Sequence, residues 1–89
     1  MPNNEFRLQF DSKSVNESFS RVAVSAFVTQ LDPTVEEIND IKTAVSEAVT
    51  NCIVHAYQNE VGKIYITVAF FENGIVKIKI RDKGVGIPD

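Results

Sequence analysis

Residues 63–82 read Lys63-Ile64-Tyr65-Ile66-Thr67-Val68-Ala69-Phe70-Phe71-Glu72-Asn73-Gly74-Ile75-Val76-Lys77-Ile78-Lys79-Ile80-Arg81-Asp82. Their first half, Lys63 to Phe71, is rich in β-branched and aromatic side chains, which fit a pleated, half-buried surface. Ile64, Ile66, Val68 and Phe70 take one face; Tyr65, Thr67, Ala69 and Phe71 take the other. Asn73-Gly74 is the strongest short hairpin signal, because a type I′ turn requires positive φ at both positions. On the return strand, Ile75 to Asp82, Val76, Ile78 and Ile80 point inward, while Lys77, Lys79 and Arg81 point to water. A hairpin with one apolar face needs a second layer to cover it.

That layer lies earlier in the chain. Thr34-Val35-Glu36-Glu37 is a capping box, and Ile38, Ile41, Val45, Ala48, Val49, Cys52 and Ala56 mark the buried stripe of a long helix from about Val35 to Tyr57. Upstream, Ser14-Val15-Asn16-Glu17 is another capping box. Val15, Phe19, Val22, Ala23, Ala26, Phe27 and Leu31 follow at helical spacing, which predicts a helix from about Val15 to Leu31. Asp32-Pro33 ends it, since the residue before proline avoids helical angles. Glu5 to Phe10 alternates, with Phe6, Leu8 and Phe10 on one face of a strand. Strand, helix, helix, hairpin is an α+β two-layer sandwich.

Composition narrows the function classes. The chain has 89 residues, 44% hydrophobic and 24% charged, ordinary for one small globular domain. No apolar run approaches the roughly 20 residues of a membrane span. A net charge of −3 with no basic block argues against a nucleic-acid surface. The single cysteine cannot form an internal disulfide, and the polar start Met1-Pro2-Asn3-Asn4-Glu5 carries no apolar segment of a secretory signal. A cytoplasmic location is the resulting expectation.

Two features carry candidate chemistry. Glu47, Asn51 and His55 recur every four residues along the second helix, at the border of its buried stripe. A carboxamide oxygen suits a hard cation, and a carboxylate can orient or deprotonate a hydroxyl. The same spacing also describes the polar border of a plain amphipathic helix. A lone histidine is no zinc site; Cys52 reads as a small core residue, and a Cys52–His55 nucleophilic pair lacks an orienting third group. The second feature is Asp82-Lys83-Gly84-Val85-Gly86. Strand parity turns Asp82 toward the helix layer, where an acceptor-only carboxylate beside bare backbone suits the exocyclic amine of a base. It equally suits a turn in which Asp82 caps a loop amide. Because the second helix packs on the sheet that delivers Asp82, one ligand can span Asp82, Glu47 and Asn51.

Glu47-Ala48-Val49-Thr50-Asn51 resembles the N box of the GHKL (Bergerat-fold) ATPases, and Asp82-Lys83-Gly84-Val85-Gly86 resembles their first glycine box. Within that superfamily the chain is similar to the branch of serine-protein kinases that act as sporulation anti-sigma factors. The stretches that carry this likeness are Asn16 to Val22, Gln30 to Thr34, Ser46 to Asn51 and Arg81 to Ile87. The resemblance implies that Asn51 holds the Mg²⁺ bridging the phosphates of ATP. It implies that Glu47 acts on the attacking serine hydroxyl, and that Asp82 accepts from the adenine amine while Gly84 and Gly86 open the base pocket. It further implies a homodimer that binds a sporulation sigma factor and phosphorylates a serine of an anti-anti-sigma partner, with Arg21 presented to those proteins. Members of the branch continue past Asp89 with a lid and a second glycine box. The chain is therefore expected to be the N-terminal part of a longer domain (residues 1–89), catalytically incomplete and self-associating through an exposed sheet edge. A module that sequesters the sigma factor without using nucleotide is the alternative. The ATPase module of a sensor histidine kinase fits less well, given Arg21 and the Asp32-Pro33-Thr34 junction.

Overall fold

The computed structural model describes residues 2–56 and 60–82. Five regular elements follow in order: strand β1 (Asn4–Asp11), helix α1 (Val15–Val28), helix α2 (Val35–Asn51), and strands β2 (Lys63–Phe70) and β3 (Val76–Asp82). The strands form one antiparallel sheet in the order β1-β2-β3, and both helices cover the same face of it. This is the expected α+β two-layer arrangement.

The register explains the core. Phe6 sits opposite Val68, which sits opposite Ile78; Leu8, Ile66 and Ile80 form the next row, and Phe10, Ile64 and Asp82 the last. Successive residues alternate faces in a strand, so these three rows all point at the helices. Ile64, Ile66 and Val68 on the central strand are at most 1% exposed. Phe27 of α1 inserts between Phe6 and Phe70, with ring centroids 5.1 and 4.7 Å away. Asp82 thus closes an apolar face with a carboxylate, as strand parity requires. The opposite face is polar: Arg81 lies over the Tyr65 ring at 4.8 Å and Lys77 over Phe71 at 5.2 Å, both within cation–π range.

The hairpin turn is slightly longer than the expected two-residue link. The strands stop at Phe70 and resume at Val76, and the turn is closed by the Phe71 N–H donating to the Ile75 carbonyl at 2.8 Å. Positive φ falls on Asn73 (69°) and Gly74 (75°), the two positions the sequence singles out. At the other end of the sheet, buried Ser12 ties β1 to the entry of β2. Its N–H donates to the Gly62 carbonyl at 2.9 Å, and its Oγ accepts the Gly62 N–H at 2.8 Å. An Asp11–Lys63 ion pair borders the same end. These bonds fix the end of the sheet where Asp82 lies.

Helix α2 starts as expected but its regular part ends at Asn51, and the expected end at Tyr57 lies outside the described residues; α1 departs further. The Thr34 capping box forms: the Glu37 N–H donates to Thr34 Oγ1 at 3.1 Å, and Glu37 Oε1 accepts from the Thr34 N–H at 2.8 Å. The Ser14 box does not; Ser14 is itself helical in φ/ψ and its side chain caps nothing. Glu17 instead faces Arg21. The regular part of α1 ends at Val28, and a 3-10 turn over Thr29–Leu31 carries the chain to Asp32, which takes a left-handed conformation.

The buried face of α1 is also not the one periodicity suggests. Val15, Phe19 and Val22 are 72%, 53% and 59% exposed, and Leu31 is exposed too, whereas Ser20, Val24, Ser25 and Val28 are buried. Two serines can face the core because each returns its hydroxyl to its own helix. Ser20 Oγ donates to the Glu17 carbonyl at 2.7 Å, and Ser25 Oγ to the Arg21 carbonyl at 2.8 Å. Satisfied hydroxyls are cheap to bury. Val15, Phe19 and Val22 are left on the outside, while Phe27 packs against the core as its spacing predicts.

Candidate nucleotide site

Helix α2 positions the site. Its capping box starts it, and Val45, Val49 and Cys52, flanked by Ile38 and Ile41, hold it against the sheet. That leaves Glu47 and Asn51 exposed, one turn apart on its outer side. After Asn51 the helix widens into a π turn over Cys52–Ala56. Such turns are rare and recur at functional sites. Because the backbone bonds there run to the fifth residue rather than the fourth, the polar line of Glu47 and Asn51 does not continue regularly to His55. His55 is exposed.

Asp82 reaches the same end of α2. Half-buried at the end of β3, it lies close enough to Cys52, the residue after Asn51, to perturb that thiol. Cys52 is 8% exposed. Burial first, and then the hydrogen bond and negative charge of Asp82, push its thiol up to about 11. The thiol is therefore protonated at neutral pH and is no nucleophile. Cys52 belongs to the core, as its place on the apolar stripe implies, but it also feels the Asp82 carboxylate. No sequence pattern announces that pairing.

Arg21 and Glu47 face a common groove. Together with Val22, Lys42, Thr43 and Ser46 they line a surface groove of about 370 Å³ between α1 and α2. Arg21 Nε lies 3.7 Å from Glu17 Oε2, and its Nη2 donates to Ser18 Oγ at 3.3 Å. The guanidinium is thus braced by its own helix at the rim of the groove.

The structure therefore brings Asp82 to Cys52, the residue after Asn51, at the π turn, and sets Glu47 in one groove with Arg21. Gly84 and Gly86 lie outside the described residues. Asn51 offers a hard oxygen donor in the open, which fits Mg²⁺: that ion takes few protein ligands and keeps water and phosphate oxygens. Among the described residues, no group of three or more His, Cys, Asp or Glu is gathered to hold an ion. No helix among them is long and apolar enough to cross a membrane.

A family model described as the histidine kinase-like ATPase domain matches residues 10–89. The chain is 60% identical over 87 residues to an anti-sigma F factor of Caldanaerobacter subterraneus subsp. tengcongensis, covering 98% of this chain and 60% of that protein. It is 56% identical over 86 residues to an anti-sigma F factor of Geobacillus kaustophilus, covering 97% of this chain and 59% of the relative. To one from Thermoanaerobacter sp. it is 58% identical over 86 residues, with the same coverage. The chain thus spans about three fifths of the length of these curated relatives.

Proposed function

The chain belongs to the histidine kinase-like ATPase domain family, and from that premise we propose that it is the nucleotide-binding part of a cytoplasmic anti-sigma factor and serine-protein kinase. Asp82 accepts a hydrogen bond from the adenine amine, and Gly84 and Gly86 leave room for the base. Asn51 would hold Mg²⁺, which neutralises phosphate charge when bound. Glu47 accepts the proton of a serine hydroxyl on a protein substrate. The serine oxygen bonds to the terminal phosphorus, the bond from that phosphorus to the bridging oxygen breaks, and ADP departs with the electron pair. Such transfer depends mainly on positioning and charge stabilisation.

The observation that supports this reading is the register that turns the half-buried Asp82 to the helix-covered face of the sheet. It sets a carboxylate at the edge of an otherwise apolar face.

The partners in this reading are a sporulation sigma factor, bound and held inactive, and an anti-anti-sigma protein that receives the phosphate on serine. Names of the relatives support the first of these. The working form is a homodimer, and Arg21 contacts the protein partners. Phosphate transfer by the full-length protein tests the kinase assignment. Glu47→Ala should abolish serine phosphorylation while sigma-factor binding persists; continued transfer would remove Glu47 from the role of base.

The exposed Val15, Phe19 and Val22 of α1 favour a second reading, a sigma-sequestering surface that needs no nucleotide. In that case sigma-factor affinity would be the same with and without Mg-ATP.

A further inference from the structure

We infer that Glu17 is a positioning residue for partner binding, its carboxylate holding the Arg21 guanidinium at the rim of the groove that Arg21 shares with Glu47. The inference deepens the reading of Arg21 as a partner contact and rests on it. Glu17 is the last residue of the Ser14 capping sequence, but Ser14 caps nothing, so the carboxylate is released for another task. It lies one turn before Arg21 on α1, the spacing and order in which an acid and a base pair best on a helix, with Glu17 Oε2 3.7 Å from Arg21 Nε. That oxygen is buried and, among the described residues, has no hydrogen-bond partner. Leaving a buried carboxylate oxygen unpaired is costly, and the Arg21 charge is what offsets that cost. Arg21 and Glu47 both line the groove, whereas Glu17 lies outside its lining. Its influence on a protein bound there therefore runs through Arg21. A guanidinium carries five N–H donors, more than Glu17 at Nε and Ser18 at Nη2 engage. Both braces belong to α1 itself, so the guanidinium is ordered before a partner arrives. Preorganisation of this kind raises affinity by lowering the ordering cost of binding.

A double-mutant cycle on the full-length protein, read as sigma-factor affinity by surface plasmon resonance, tests this. The variants are Glu17→Gln, which keeps the shape and removes the charge, Arg21→Ala, and the two combined. Glu17→Gln should weaken binding about fivefold, the upper end for one ion pair near the surface. In the Arg21→Ala background it should change affinity by less than about twofold, because no guanidinium is left to position. The same loss in both backgrounds would mean that Glu17 touches the partner or only supports the fold, and would overturn the inference. So would affinity unchanged by Glu17→Gln, or raised by it, the sign of a carboxylate that competes with the partner for Arg21. Arg21→Ala without effect would instead overturn the underlying reading of Arg21, and this inference with it. If Glu17→Gln fails to fold, Glu17→Asp, with its carboxylate one methylene shorter, takes its place in the cycle. Its loss should likewise be confined to the chain that keeps Arg21, and an equal loss without Arg21 would contradict the positioning role.

Discussion

Arg21 of α1 and Glu47 of α2 line one groove, although 26 positions of sequence separate them. One side chain is assigned to partner binding and the other to the phosphorylated serine. Their proximity means that a protein gripped by Arg21 is already beside Glu47. Arg21 is half-buried and, among the described residues, is bonded to Glu17 and Ser18 of its own helix, so Arg21→Ala should leave the fold intact. Its effect should be a loss of about tenfold or more in affinity for the sigma factor, the usual scale for truncating one member of an interfacial charge pair. Surface plasmon resonance on the full-length protein, paired with a thermal melt, checks both halves.

The two faces of α1 give a prediction about stability. Val24 is 0% exposed and Val22 is 59% exposed, two residues apart on one helix. Val24→Ala should cost about 2 kcal/mol through lost burial and a residual cavity. Val22→Ala should change stability by about 0.5 kcal/mol or less. Urea denaturation measures both, and comparable losses would mean that α1 is rotated from the orientation described here.

The two capping sequences should behave differently. Thr34→Ala removes a formed cap and should cost about 1 kcal/mol; Ser14→Ala removes a side chain that caps nothing and should cost almost none. Glu37 accepts from the backbone and side chain of Thr34, which holds its carboxyl below the ordinary 4.5. A depressed carboxylate pKa stabilises the fold above the unfolded value and is lost as pH falls through the folded one. The difference between the parent and Thr34→Ala should therefore narrow as the pH drops below about 4.5.

The Cys52 thiol should resist modification. Pushed up to about 11 from an ordinary 9.0 and buried, it should react with a disulfide reagent at pH 8 far more slowly than the same chain in urea. Its contribution to stability is complete below the unfolded pKa and is lost as pH rises through the folded value. Alkaline unfolding between about pH 9 and 11 should therefore be shallower in Cys52→Ala.

Much of this architecture was legible in the sequence. The sheet could be read because a period of two leaves little freedom: Ile64, Ile66 and Val68 alternate cleanly, and parity alone turned Asp82 toward the helices. Thr34 and Glu37 form the cap that their spacing predicts. The face of α1 was misread because hydrophobicity ranks Phe19 and Val22 above Ser20 and Ser25, while the hydroxyls of both serines are satisfied within the helix. The π turn leaves no local signature, since its wider bonding depends on how the end of α2 packs. The Cys52–Asp82 and Arg21–Glu47 relationships join elements distant in sequence. Parity and periodicity describe single elements and say nothing of such pairs.

The central claim is that Asp82 reads a nucleotide base at the end of α2. Calorimetric titration of the chain with Mg-ATP, set beside Asp82→Asn, tests it most directly. Asp82→Asn puts an amide donor where the adenine amine needs an acceptor. The account predicts measurable binding by the parent and a loss of at least about a hundredfold in the variant, the scale for opposing two donors in a site built for one hydrogen bond. Equal affinities for the two chains would contradict it.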